Sequence, residues 1–122
     1  MIPEKSKNIE KLNRINAFKA EAGRWAEKIK VKPRQIRIQA MKNKWASCSS
    51  QGRVCFNTDL LEEPGDFQQY VIVHELLHLK IPNHGGLFKS LMSAYLPDWK
   101  NILERRKNNK PESVVYGMSI AG

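Results

Sequence analysis

The residues His74-Glu75-Leu76-Leu77-His78 sit inside an otherwise apolar stretch, and that placement constrains the chain more than any other feature. From Phe67 to about Ile81 a stripe recurs at three- and four-residue steps: Phe67, Tyr70, Val71, His74, Leu77, His78, Ile81. The spacing predicts one helix over 67–81, stopped by Pro82, with Asp66 as its N-cap after Pro64-Gly65. Histidines four apart project from the same face one turn up, so their imidazoles can meet on one ion. Glu75 follows the first histidine, where its carboxylate can reach a metal-bound water rather than the metal.

All three histidines of the chain fall within residues 74–84. His84 lies just past the stop at Pro82, and a chain turning back there can bring a third nitrogen to the metal. Three protein ligands and one open position is the catalytic zinc arrangement, not the closed structural one. Zinc would lower the pKa of its water towards ~7, and Glu75 would take the proton. The metzincin spacing wants Gly where Ile81 stands, and no later Met-containing turn is evident, so that clan is not assigned.

The rest of the chain reads as an α+β fold. Ile9, Leu12, Ile15, Phe18, Ala22, Trp25 and Ile29 predict a long first helix, with Ser6 as its cap and Pro33 as its limit. Residues 35–41 alternate apolar and polar, a half-buried strand. Trp45–Ser49 and Arg53–Asn57 read as two more strands around a Ser50-Gln51-Gly52 turn. A two-residue Gln51-Gly52 loop would set Cys48 opposite Cys55. A shorter helix opens at Gly85-Gly86 and carries Leu87, Phe88, Leu91 and Tyr95. After Pro97, Asp98 caps a final turn or two with Trp99, Ile102 and Leu103. The expected organisation is one domain over 1–122: a helix within 1–34, a catalytic core over 35–104, then a linker and apolar tail over 105–122.

Length and composition fit this reading. A chain of 122 residues buries enough surface for a core without staples. Two cysteines outside any Cys-x-x-Cys pair do not make a disulfide framework. No run of 18 apolar residues occurs and no apolar signal segment opens the chain, so a cytoplasmic protein off the membrane is expected. The net charge of +9 is unevenly spread: residues 54–79 carry five acids and no base, between strongly basic flanks. Such a surface keeps a chain soluble or faces a polyanion.

Beyond the histidines, a longer series of residues carries a family resemblance. Met41-Lys42-Asn43-Lys44-Trp45-Ala46-Ser47-Cys48, Gly52, Phe56-Asn57-Thr58-Asp59-Leu60, Tyr70 to His78, and Asn83-His84-Gly85-Gly86-Leu87-Phe88 together resemble the YgjP-like metallopeptidase domain. The likeness extends to the minigluzincins and, more distantly, to SprT and WLM proteases. It covers about residues 35–104, with Ala46 where Gly is usual and Gly85 where Ser is frequent. The resemblance implies a zincin-like core, a small sheet over the active-site helix, with Zn2+ on His74, His78 and His84 and Glu75 as base. It leaves the substrate open among peptides, nucleoside triphosphates and proteins crosslinked to DNA.

Several other residues are candidates for support. Trp45 reads as core, although a strand edge near the zinc could hold an extended peptide. Tyr70 and Tyr95 lie on apolar faces and read as core rather than oxyanion donors, as do Phe88, Met92 and Trp99. Asn83 and Asp98 are candidate partners for a ligand histidine. Lys42, Lys44 and Arg53 are placed to contact phosphate. Residues 112–121 are expected in or beside the cleft, or across to a second copy in a homodimer, keeping the enzyme latent. The leading expectation is a zinc metallopeptidase acting on peptide or protein. The alternatives are a nucleoside triphosphate pyrophosphatase and a protease acting on nucleic-acid-bound protein.

Overall fold

The computed structural model describes residues 4–109. It is an α+β arrangement of four helices and a three-stranded mixed sheet. Helix α1 (Glu4–Ile29) leads into β1 (Gln35–Gln39), β2 (Ala46–Cys48) and β3 (Arg53–Asn57). A 3-10 turn (Thr58–Glu62) precedes α2 (Gly65–Leu77), α3 (Gly86–Tyr95) and α4 (Trp99–Asn109). Among the described residues no helix is long and apolar enough to cross a membrane. The tail expected to cover the cleft lies outside the described residues.

The sheet order is β1-β3-β2, with β3 parallel to β1 and antiparallel to β2. One face carries Ile36, Ile38, Val54, Phe56, Ala46 and Cys48 against α1 and α2, where Phe18 meets Phe56 edge-on at 5.1 Å. The other face shows Gln35, Arg37, Gln39 and Arg53 to solvent. The β2–β3 turn has three loop residues, not two. Gly52 N donates to Ser49 O, Gly52 takes φ 85°, and Ser49 N donates to Arg53 O. That is a four-residue turn closed by a left-handed glycine. The extra residue shifts the register, so Cys48 pairs with Val54 and Cys55 with Ser47. The two thiols therefore point to opposite faces and do not oppose each other. Both are free, and burial pushes each thiol above its usual pKa, Cys48 to about 11.

Helix α1 departs from its stripe. A helix of 26 residues is about 39 Å long, and only the part from Phe18 onward has core beneath it. Ile9 and Leu12 are exposed, 58% and 55%. Ser6 lies within the helix rather than at its cap. At the other end Val31 N donates to Ala26 O and Lys30 N to Glu27 O, a Schellman closure with Lys30 at φ 66°. Glycine favours that conformation. Lys80 Nζ donates to Ile29 O at 2.8 Å and ties this end to the end of α2.

Three other boundaries differ from expectation. Pro64, not Asp66, stands at the N-cap of α2; Asp66 Oδ1 accepts from Phe67 N instead. The regular part of α2 ends at Leu77, and His78 to Lys80 continue as tighter turns bonded three residues back. Helix α4 runs on through Arg105, Arg106 and Lys107 to Asn109. Arg105 pairs with Asp66 and Asp98, and buried Arg106 pairs with Glu63 at 3.1 Å. The Arg106 guanidinium lies over both Trp45 and Phe67, 4.9 and 4.7 Å from their centres. Trp45 is thus core, at 4% exposure.

Asn57 fixes the loop that enters β2. It is 1% exposed, donates to Met41 O and Lys44 O, and accepts from Asp59 N. Asn57→Ala leaves those three backbone groups short of a partner and should cost roughly 2–3 kcal/mol in urea unfolding. Lys30→Gly should act the other way, stabilising by about 1 kcal/mol through relief of the left-handed backbone, read as a raised midpoint.

Candidate metal centre

Helix α2 is buried along nearly its whole length, and its polar residues are buried with it. His74 is 5% exposed, His78 7% and Glu75 0%. The turn after Pro82 returns the chain: Asn83 Oδ1 accepts from Gly85 N, and α3 begins at Gly86. His84 is carried back over α2 by that turn. Its Nε2 lies 3.1 Å from His74 Nε2, and His78 Nε2 lies 3.2 Å from the same atom.

Three histidines from two different segments thus present the same ring atom to one point. Tetrahedral zinc with bonds of 2.0–2.1 Å holds its ligand nitrogens about 3.3 Å apart, so the spacing fits a metal ion. Ligand atoms of His74, His78 and His84 all lie within 4.8 Å of one another. The second nitrogens are held as ligands require. His78 Nδ1 donates to Ile81 O at 3.1 Å; a carbonyl only accepts, so the proton is on Nδ1 and the lone pair on Nε2. Tyr70 Oη lies 3.1 Å from His74 Nδ1. Burial, then the neighbouring His78 and His84, lowers the His74 pKa to about 3, so its imidazole stays neutral. Burial likewise lowers His78.

Phe88 closes the site. Its ring centre is 5.2 Å from that of His74 and 4.9 Å from those of His78 and His84. Tyr70 is stacked between Phe67 and Trp99, and burial raises its pKa to about 12, so it remains a neutral phenol. Glu75 Oε2 is 3.9 Å from His74 Nε2, and neither carboxylate oxygen has a hydrogen-bond partner. Burial lifts this carboxyl to about 8, with Lys44 opposing. A buried carboxylate without donors is costly; one that faces a cation is not.

The support differs from what spacing suggested. Asn83 builds the turn before α3, and exposed Asp98 accepts from Asn101 and Arg105; neither meets a ligand histidine. Tyr70 and the Ile81 carbonyl do so instead. The Tyr70 signal was present in the sequence, because it stands four residues before His74 on the same face. Phe88 is core, as expected, and also the wall of the site. Tyr95 is half-buried against the core, Met92 is buried, and Leu87 is exposed.

Strand β2 borders this centre. It is a sheet edge and packs on α2. The Glu75 charge reaches Cys48 on β2, and Lys44 at the entry to β2 acts on Glu75. Trp45, Ser47 and Ser49 bond towards β3, so Ala46 and Cys48 turn their N–H and C=O groups away from it, and both residues are buried, at 0% and 7% exposure.

No curated protein matches the chain significantly. The family model described as YgjP-like, metallopeptidase domain, matches residues 3–109. With that match over most of its length, the chain belongs to the YgjP-like metallopeptidase domain family.

Proposed function

We propose that this protein is a zinc-dependent metallopeptidase that hydrolyses peptide bonds in a cytoplasmic setting. The observation that most supports the reading is the convergence of three Nε2 atoms beside a fully buried carboxylate without hydrogen-bond donors. His74, His78 and His84 would hold the ion. When bound, zinc supplies Lewis acidity towards a water and a substrate carbonyl.

The chain's own residues do the rest. Glu75 takes a proton at Oε2, the oxygen nearer His74 Nε2, and returns it to the leaving amine. Its high metal-free pKa shows a carboxyl that gives up its proton reluctantly, suited to both halves of that transfer. A nearby divalent cation brings it down again. Tyr70 accepts from His74 Nδ1–H and keeps that ring turned to the ion. Phe88 excludes water from behind the imidazoles. Membership of a metallopeptidase domain family favours a peptide over a nucleotide as substrate. Free Cys48 and Cys55 fit a reducing compartment.

Mass spectrometry of a peptide pool mixed with nucleoside triphosphates tests the reaction class. The zinc-loaded chain should cleave peptides and leave triphosphates intact; triphosphate loss with intact peptides would overturn the reading. Glu75→Gln should retain zinc by elemental analysis while kcat falls about 10²–10⁴-fold. Tyr70→Phe should keep the fold by circular dichroism and weaken zinc binding about tenfold or more in a chelator competition.

A further inference from the structure

A second feature lies beside the metal centre and is not used by the chemistry above. A cavity of about 390 Å³ opens at the C-terminal end of α2, where His78, Lys80, Lys30, Lys32, Arg34 and Ser49 are among its lining residues. No carboxylate lines it. Four cations surround it, and none has a carboxylate partner within ion-pair distance among the described residues. The arginines of the helices are paired, Arg14 with Glu10 and Glu62, Arg24 with Glu21, Arg105 with Asp66 and Asp98, Arg106 with Glu63, whereas Arg37 and Arg53 on the strands, like the cavity's cations, have no ion-pair partner among the described residues. The sequence contributes to the difference, because no Asp or Glu occurs between Glu27 and Asp59.

All four cations are exposed, and two of them are tied to the cavity wall. Arg34 N donates to Gly52 O at 2.8 Å, which seats Arg34 against the β2–β3 turn. Lys80 is fixed by its bond to Ile29 O and keeps two further N–H donors. Lys30 stands in a left-handed conformation that glycine would adopt more readily. A costly backbone that carries a charge to a cavity mouth points from strain to use.

The cavity also adjoins the metal centre: His78 lines it and presents Nε2 towards His74 and the proposed ion. Ser49, the residue after β2, lines it as well. We propose that this cavity is a substrate subsite for a carboxylate, so that the enzyme prefers acidic peptides with Asp, Glu or the chain terminus a few residues from the cleaved bond. The inference rests on the peptidase reading for its substrate class, and on the cavity alone for its charge.

Binding tests it without turnover. The zinc-loaded Glu75→Gln chain is titrated with labelled ten-residue peptides that differ by Glu or Gln at one position, each with free or amidated C-terminus. One Glu position, or the free terminus, should bind at least tenfold tighter, and the gain should shrink at high salt. The two arms separate a side chain from a terminal carboxylate. Lys32→Glu with Arg34→Glu should reverse the preference. Lys7→Glu with Lys11→Glu, the same charge change on α1, should leave it. Equal binding of Glu and Gln peptides, or an equal loss in the α1 variant, overturns the subsite. Cleavage is scored separately with the wild-type chain. Cleaved peptides with no acidic preference defeat the subsite and leave the peptidase; acidic peptides bound but never cleaved defeat the peptidase and leave the subsite.

Discussion

Helix α2 has to be both the core of the molecule and the floor of its reactive site. Phe67, Val71, Ile72, Val73, Leu76 and Leu77 are buried around its circumference, and His74, Glu75 and His78 are buried with them. The burial of the helix therefore acts on the titratable groups along its inner face, Tyr70, His74 and Glu75. His74 is kept neutral, Glu75 is kept protonated, and both shifts have burial as their first cause. A cation at the three Nε2 atoms resolves the conflict, because it satisfies lone pairs and favours the carboxylate at once. The remaining elements can be read as means of enclosing α2: α1 and the sheet on one side, α3 and α4 on the other.

The enclosure explains which polar contacts exist. Two neutral partners, a phenol and a backbone carbonyl, orient the ligand histidines. A carboxylate in either place would have required a further buried charge. Among the described residues the one buried ion pair away from the site, Arg106 with Glu63, is shielded by the faces of Trp45 and Phe67 and ties the end of α4 to the start of α2. Asn57 plays the corresponding part for β2, since its amide satisfies backbone groups that a loop of that depth would otherwise leave bare.

Much of this was legible from residue order. Alternation located β1 and β3, the three-to-four-residue stripe located α2 and α3, and histidine spacing brought His74, His78 and His84 to one point. What the sequence withheld has physical reasons. Periodicity identifies which face of a helix is apolar, not whether anything lies beneath it, so Ile9 and Leu12 were expected inside and are outside. Turn length sets register, and a two-residue Gln51-Gly52 loop cannot be told from a three-residue Ser50-Gln51-Gly52 loop by composition, so the facing of the two thiols stayed conditional on that length. Of the expected linker 105–122, residues 105–109 are instead helical, and two of the partners that hold them, Asp66 for Arg105 and Glu63 for Arg106, lie some forty residues away. Which strand borders the cleft needed the sheet order, which no local pattern encodes.

Strand β2 has a consequence of its own. The outermost strand of a sheet is in general a place where another extended chain can add, including another copy of the same one. Long, flat, apolar edges recruit such partners and seed aggregates. This edge is three residues long, and its apolar residues, Ala46 and Cys48, are buried. A lysine stands two residues before it and a tight turn follows it. It offers a second chain very few backbone groups to pair with. Brevity and burial thus protect the chain from its own kind.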